Sequence, residues 1–148
     1  MTTLSDLPEA AASGPPARSG AADPVRVCGY HELIPGRGAA VLLPGGGQAA
    51  VFRTLGGALH AVGNLDPATG AQVISRGLTG SRDGAATVAS PLLKHVYELA
   101  TGRCVDGPAG AEPALALATY PVFRDNGVVY VLDDPAHPVP AHHDGGNP

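Results

Sequence analysis

The sequence has no tryptophan, two cysteines, one lysine (Lys94) and a single methionine at position 1. Each shortage removes a class of answer. Cys28 and Cys104 are too few to form the disulfide framework that holds small secreted domains together. The nine basic residues are scattered, and the net charge is −4, so the chain lacks the basic footprint of a nucleic-acid binder. No apolar run approaches the roughly 20 residues of a membrane-spanning helix. The first residues also lack the basic start and apolar stretch of a secretion signal. The expectation is a cytoplasmic protein with no nucleic-acid and no membrane partner. With the large aromatic pieces limited to Phe52, Phe123 and four Tyr, the core has to be built from Val, Leu, Ile and Ala.

Glycine and proline are abundant, at 21 and 15 of 148 residues. Together that is about twice ordinary usage. Residues 1–24 combine them with Ser and Ala, as in Ala10-Ala11-Ala12-Ser13-Gly14-Pro15-Pro16. Such a segment cannot bury enough apolar surface to offset its ordering entropy, so a disordered N-terminal tail is expected. Residues 134–148 are expected to be a second disordered tail, because Pro135, Pro138 and Pro140 oppose any regular element. Residues 25–133 then form one domain of ordinary length.

Inside that domain, short apolar runs alternate with turn residues. Residues 25–28, 39–43, 49–53 and 58–62 read as strands, with an antiparallel meander turning at Pro44-Gly45-Gly46-Gly47 and Leu55-Gly56-Gly57. After a long irregular stretch come strands at 85–89, 96–99, 118–124 and 128–132. The last two meet at Asp125-Asn126-Gly127, where Asn-Gly supplies the positive φ angles of a two-residue hairpin turn. One helical turn is expected near 30–34, ended by Pro35-Gly36. Many short strands with frequent turns predict an all-β, antiparallel sandwich or barrel.

Several chemistries can be weighed on the residues. Gly45-Gly46-Gly47 is not followed by Lys and Ser/Thr or by a helix, so it reads as a hairpin turn and not a phosphate loop. Ser90, His95 and Asp106 do not read as a hydrolytic triad, since no Gly-x-Ser-x-Gly elbow surrounds Ser90 and Pro91 has no N–H to offer an oxyanion. Cys28-Gly29-Tyr30-His31 has metal-ligand spacing, but Cys104 brings no second pair, and both cysteines read as structural. His137, His142 and His143 lie in the expected tail. His60 alternates with Leu59 and Ala61 and is expected on the solvent side of its strand.

Two segments carry a resemblance: Asn64-Leu65-Asp66-Pro67, and Ser90-Pro91-Leu92-Leu93-Lys94-His95-Val96-Tyr97-Glu98-Leu99 followed by Thr101-Gly102 and Gly107-Pro108. The second resembles the loop of a Rieske iron–sulfur domain in which Cys-Pro-x-His precedes an aromatic residue, a strand and a Gly-Pro-rich loop. The first resembles that domain's other loop, Cys-x-His. On this resemblance the fold is a Rieske-like β-sandwich with a two-loop tip, and Asn64, Asp66, Ser90 and Leu93 stand at the four ligand positions. A Rieske-type [2Fe–2S] centre needs two thiolates and two imidazoles. None is supplied at those positions, which implies that this chain binds no cofactor and no metal.

Asn-x-Asp-Pro, then Ser75-Arg76-Gly77-Leu78, then the 90–104 pattern ending in Cys104, is similar to the small subunit of assimilatory NAD(P)H nitrite reductase. Val25-Arg26-Val27-Cys28 and Glu32-Leu33-Ile34-Pro35-Gly36 fit as well. That resemblance implies a non-catalytic role beside a large subunit carrying FAD, siroheme, an iron–sulfur cluster and the NAD(P)H site, which reduces nitrite to ammonium. It implies no catalytic residue in this chain.

Without a metal, the two loops have to be held by packing and hydrogen bonding. Leu65, Pro67, Leu92 and Leu93 are expected to fill the cluster volume, and Asn64, Asp66 and Ser90 to bond to loop N–H groups. A tip of Leu65, Pro67, Leu92, Lys94 and His95 is the expected contact with the large subunit. Two other functions are compatible with the same residues. One is a metal-free adaptor of another oxidoreductase. The other is a Rieske-type electron carrier with unconventional ligands drawn from Cys28, His31, Cys104 and His95.

Overall fold

The computed structural model describes residues 23–108 and 115–136. Eleven strands follow in chain order: β1 Val25–Gly29, β2 Gly38–Leu42, β3 Gln48–Arg53, β4 Leu59–Gly63, β5 Leu78–Arg82, β6 Ala85–Ala89, β7 Val96–Glu98, β8 Cys104–Asp106, β9 Thr119–Tyr120, β10 Val122–Asp125 and β11 Val128–Val131. Two 3-10 turns, Tyr30–Glu32 and Ile74–Arg76, are the only helical pieces among the described residues. The strands form three antiparallel sheets in the orders β9-β4-β3-β2, β10-β11-β1 and β5-β6-β7-β8. The expected all-β antiparallel architecture is present.

β3 explains how three sheets make one fold. Its sequence Gln-Ala-Ala-Val-Phe-Arg shows no apolar–polar alternation, as for a strand covered on both faces. Ala49 and Val51 pack with Tyr30, Leu33, Leu43, Ala61, Val129 and Val131. Ala50 and Phe52 pack on the other side with Val62, Ile74, Val88, Tyr97, Leu99, Cys104 and Leu117. Each fully buried aliphatic or aromatic side chain in these cores contributes about 1.5–3 kcal/mol. The central sheet is thus sandwiched, and its neighbours supply the outer surface.

The Asn-Gly hairpin forms as expected, with Asn126 at φ 56°, Gly127 at φ 79° and Asp125 paired with Val128. The meander is limited to β2, β3 and β4, because β1 pairs with β11 in another sheet. The helical turn is a 3-10 turn over Tyr30–Glu32. Tyr30 donates its hydroxyl to the Gly57 carbonyl at 2.6 Å, and its ring carries the guanidinium groups of Arg53 and Arg124 at 4.2 and 3.9 Å.

Four expectations need correction. The irregular stretch after β4 contains β5, and β8 was also unforeseen. Residues 118–124 are two strands, which divide at Pro121 and enter different sheets. His60 is half-buried, standing opposite the fully buried Phe52, and burial lowers its pKa. Pairing also runs past residue 133, since Thr119 and Ala136 exchange two backbone hydrogen bonds of 2.8 and 2.9 Å. Apart from residues 23–24 and 134–136, the two expected tails lie outside the described residues.

Candidate functional site

Two loops converge at one end of the molecule: residues 64–77 between β4 and β5, and residues 90–95 between β6 and β7. Each closes on itself through its backbone. In the first, the Asp66 and Gly70 N–H groups donate to the carbonyls of Ala71 and Asp66 at 2.8 and 2.7 Å. Ile74 N donates to Asn64 O at 3.1 Å. In the second, Ser90 N donates to His95 O and Lys94 N to Ser90 O, at 2.9 and 3.0 Å. Local turns of this kind fix the loop shape without a large core.

The polar residues occupy the inside. Asn64, Asp66 and Ser90 are buried at 1, 0 and 0% exposure. Asn64 Oδ1 accepts from Ser75 N at 2.7 Å, and its Nδ2 donates to Gln48 Oε1 at 2.9 Å. Asp66 Oδ1 accepts from Ala68 N at 2.9 Å, and Oδ2 accepts from Ser90 Oγ at 2.5 Å. This last bond joins the two loops across 24 residues of sequence. Most buried polar groups in proteins are paired in this way.

The leucines do the opposite of what was expected. Leu65, Leu92 and Leu93 do not fill a space between the loops but are 46, 49 and 52% exposed. Pro67 and His95 are half-buried, and Lys94 is exposed. The reason is physical. Asp66 and Ser90 satisfy each other's hydrogen-bonding capacity in the interior, so the loop apexes turn their aliphatic residues outward.

Tyr97 lies on β7 directly after the second loop and is fully buried. Its hydroxyl has no hydrogen-bond partner among the described residues. Burial pushes its pKa far above the usual phenol value, and the neighbouring Cys104 and Asp66 add to the shift. Sequence reasoning passed over this residue. A buried aromatic adjoining the loop was visible, but its unpaired hydroxyl was not.

The alternative metal ligands are not brought together. Cys104 belongs to one core and Cys28 flanks the other, while His31 is exposed on the 3-10 turn. Among the described residues no group of three or more His, Cys, Asp or Glu could hold a metal ion. Asp106 pairs with Arg82 at 2.9 Å, and Ser90 Oγ donates to Asp66, so neither is engaged in a triad with His95. No helix among the described residues is long and apolar enough to cross a membrane.

Residues 24–132 match the family described as Rieske-like [2Fe-2S] domain. The chain is 38% identical over 81 residues to the NADH nitrite reductase small subunit of Salmonella typhimurium, covering 54% of this chain and 74% of that protein. The chain belongs to the Rieske-like family of nitrite reductase small subunits. A crystal structure of an NADH-dependent nitrite reductase small subunit from Mycobacterium tuberculosis superposes with a TM-score of 0.71 at 41% identity, over 78% of this chain and 98% of that one. A stretch of 84 residues is also 42% identical to part of the nitrite reductase large subunit of Klebsiella oxytoca, covering 57% of this chain and 8% of that protein.

The residues present do not fit the [2Fe–2S] group named in the family description. A Rieske-type centre needs thiolates on one iron and imidazoles on the other. Here the interior between the loops holds an amide, a carboxylate and a hydroxyl already bonded to protein atoms.

Proposed function

We infer that this chain works as the non-catalytic small subunit of an NAD(P)H nitrite reductase, seated by its two-loop tip on the large subunit that reduces nitrite to ammonium. The observation that carries the reading is the tip itself. Both loops of a cluster-binding architecture are kept, but the Ser90–Asp66 hydrogen bond closes them where metal ligands would be needed. A domain built in this way contributes by contact, not by carrying electrons.

On this reading Asn64, Asp66, Ser90 and Leu93 are former ligand positions, and this chain binds no cofactor. FAD, siroheme, an iron–sulfur cluster and the NAD(P)H site belong to the large subunit. The Klebsiella oxytoca alignment supports that partner, because a related segment lies within a large-subunit polypeptide. The exposed Leu65, Leu92 and Lys94, with the half-buried Pro67 and His95, supply the contact. Exposed apolar side chains that form a contiguous patch mark interaction sites. Two cysteines that form no disulfide are compatible with a reducing, cytoplasmic setting.

The test is co-expression with the large subunit, measuring co-purification and nitrite-dependent NAD(P)H oxidation with and without this chain. Loss of activity or of soluble large subunit on omission is expected, and no change would sink the subunit role. Leu92→Glu is expected to reduce co-purification. If it stays undiminished, the tip is not the contact.

A further inference from the structure

Among the described residues three non-glycine residues hold positive φ: Asp83 at 52°, Asn126 at 56° and Lys94 at 66°. The first two precede glycines in hairpin turns, and short polar side chains of their kind are common in that conformation. Lys94 has no such excuse. A long side chain is uncommon on a left-handed backbone; the turn bonds from Lys94 N to Ser90 O and from Nζ to Pro91 O hold it there, and glycine would adopt the same φ without strain. Strained residues of this kind are held by the surrounding structure and cluster at functional sites.

The surroundings indicate what the side chain is for. Lys94 is exposed, and among the described residues its ammonium donates to the Pro91 carbonyl, at 3.2 Å. Leu92 and Leu93 directly precede it on the same loop, and Leu65 is on the other loop; all three are exposed. Over residues 64–77 and 90–95 the sole acidic residue is Asp66, which is fully buried, whereas Lys94 and Arg76 are both exposed. Neither cation has an ion-pair partner among the described residues. A chain of net charge −4 therefore presents a tip whose exposed charges are all positive.

We propose that Lys94 is the specificity element of the tip and that the large subunit meets it with an acidic group set in an apolar surface. The inference rests on the docking reading above and adds the chemistry of the partner. The leucines supply contact area, and the cation fixes orientation by pairing with a carboxylate. Arg76, on the 3-10 turn beside the first loop, extends the positive field that steers the encounter.

The experiment measures binding of the full-length chain to purified large subunit at several salt concentrations. Lys94→Gly keeps the backbone conformation and removes the charge. Its melting temperature is expected to be equal to or above that of the parent, with binding weaker by about tenfold or more. Lys94→Glu is expected to weaken binding further, Lys94→Arg to retain most of it, and affinity of the parent to fall as salt rises. If Lys94→Gly and Lys94→Glu bind within about twofold of the parent while Leu92→Glu is impaired, the ionic inference falls and the docking reading stands. If Leu92→Glu also binds normally, both fall.

Discussion

Breaking the bond between the two loops is the most direct test of how the tip is held. In Ser90→Ala the Asp66 carboxylate stays fully buried and loses the donor on Oδ2, keeping only Ala68 N on Oδ1. A hydrogen bond to a charged group has a net worth of about 1.5–3 kcal/mol. Alanine differs from serine by a hydroxyl, so little packing is lost, but the bond that Ser90 Oγ accepts from Leu92 N at 3.4 Å goes as well, and the double-mutant cycle is what isolates the bond to Asp66. Asp66→Ala strips acceptors from both the Ser90 hydroxyl and the Ala68 N–H, at about 1–3 kcal/mol for each buried group left unpaired. The double variant removes both partners, so the cycle is expected to show coupling of about 1.5–3 kcal/mol. The absence of tryptophan makes far-UV circular dichroism the natural probe of urea unfolding. At a slope near 2 kcal/mol/M, a loss of about 2 kcal/mol lowers the midpoint by about 1 M. Single-variant losses that simply add, leaving coupling below about 0.5 kcal/mol, would refute the view that this bond holds the loops together.

Two other titratable or polar side chains give opposite expectations. Tyr97→Phe removes a buried hydroxyl without a partner and is expected to change stability by less than about 1 kcal/mol or to raise it, because no hydrogen bond is lost. Burial raises the Tyr97 pKa, so the unfolded chain releases this proton first and stability falls as pH climbs above the ordinary phenol value of 10.0. That component should vanish in the variant, and a large loss at neutral pH would show that the hydroxyl is paired after all. Burial of His60 lowers its pKa from 6.5, so the unfolded chain takes up the proton first on acidification. Stability should decline as pH falls below about 6.5, less steeply in His60→Gln, and equal urea midpoint shifts between pH 7.5 and 5 in both proteins would contradict this.

Local chemistry was legible where one residue type decides the backbone. Asn126-Gly127 named its hairpin, and Gly-rich turns bounded β2, β3 and β4. β5 was hidden because Leu-Thr-Gly-Ser-Arg is an edge strand exposed along most of its length, with no apolar face to leave a period. β9 and β10 looked continuous because hydropathy carries across Pro121, although only their sheet partners differ. At the tip, sequence identified Asn64, Asp66 and Ser90 as one group. It could not show that Asp66 and Ser90 bond to each other, or that this turns Leu65, Leu92 and Leu93 outward. Such outcomes depend on distances between segments that pattern reading does not reach.

The exchange of metal for hydrogen bonds, as proposed for these loops, has a consequence for partner binding. A tip tied through a cluster would alter its charge whenever an electron arrived, and any surface docked on it would feel that change. A tip tied through Asp66 and Ser90 carries no redox state, so its exposed charge rests with Lys94 and Arg76. Permanent association with a redox enzyme is favoured by a constant surface, since affinity then does not vary through the catalytic cycle. The same logic accounts for the tolerated strain at Lys94. A left-handed lysine costs the free domain about 1 kcal/mol or more relative to glycine, and on the docking proposal contact with the partner offsets that cost. Stability of the isolated chain and affinity for the large subunit are therefore expected to move in opposite directions at this one position.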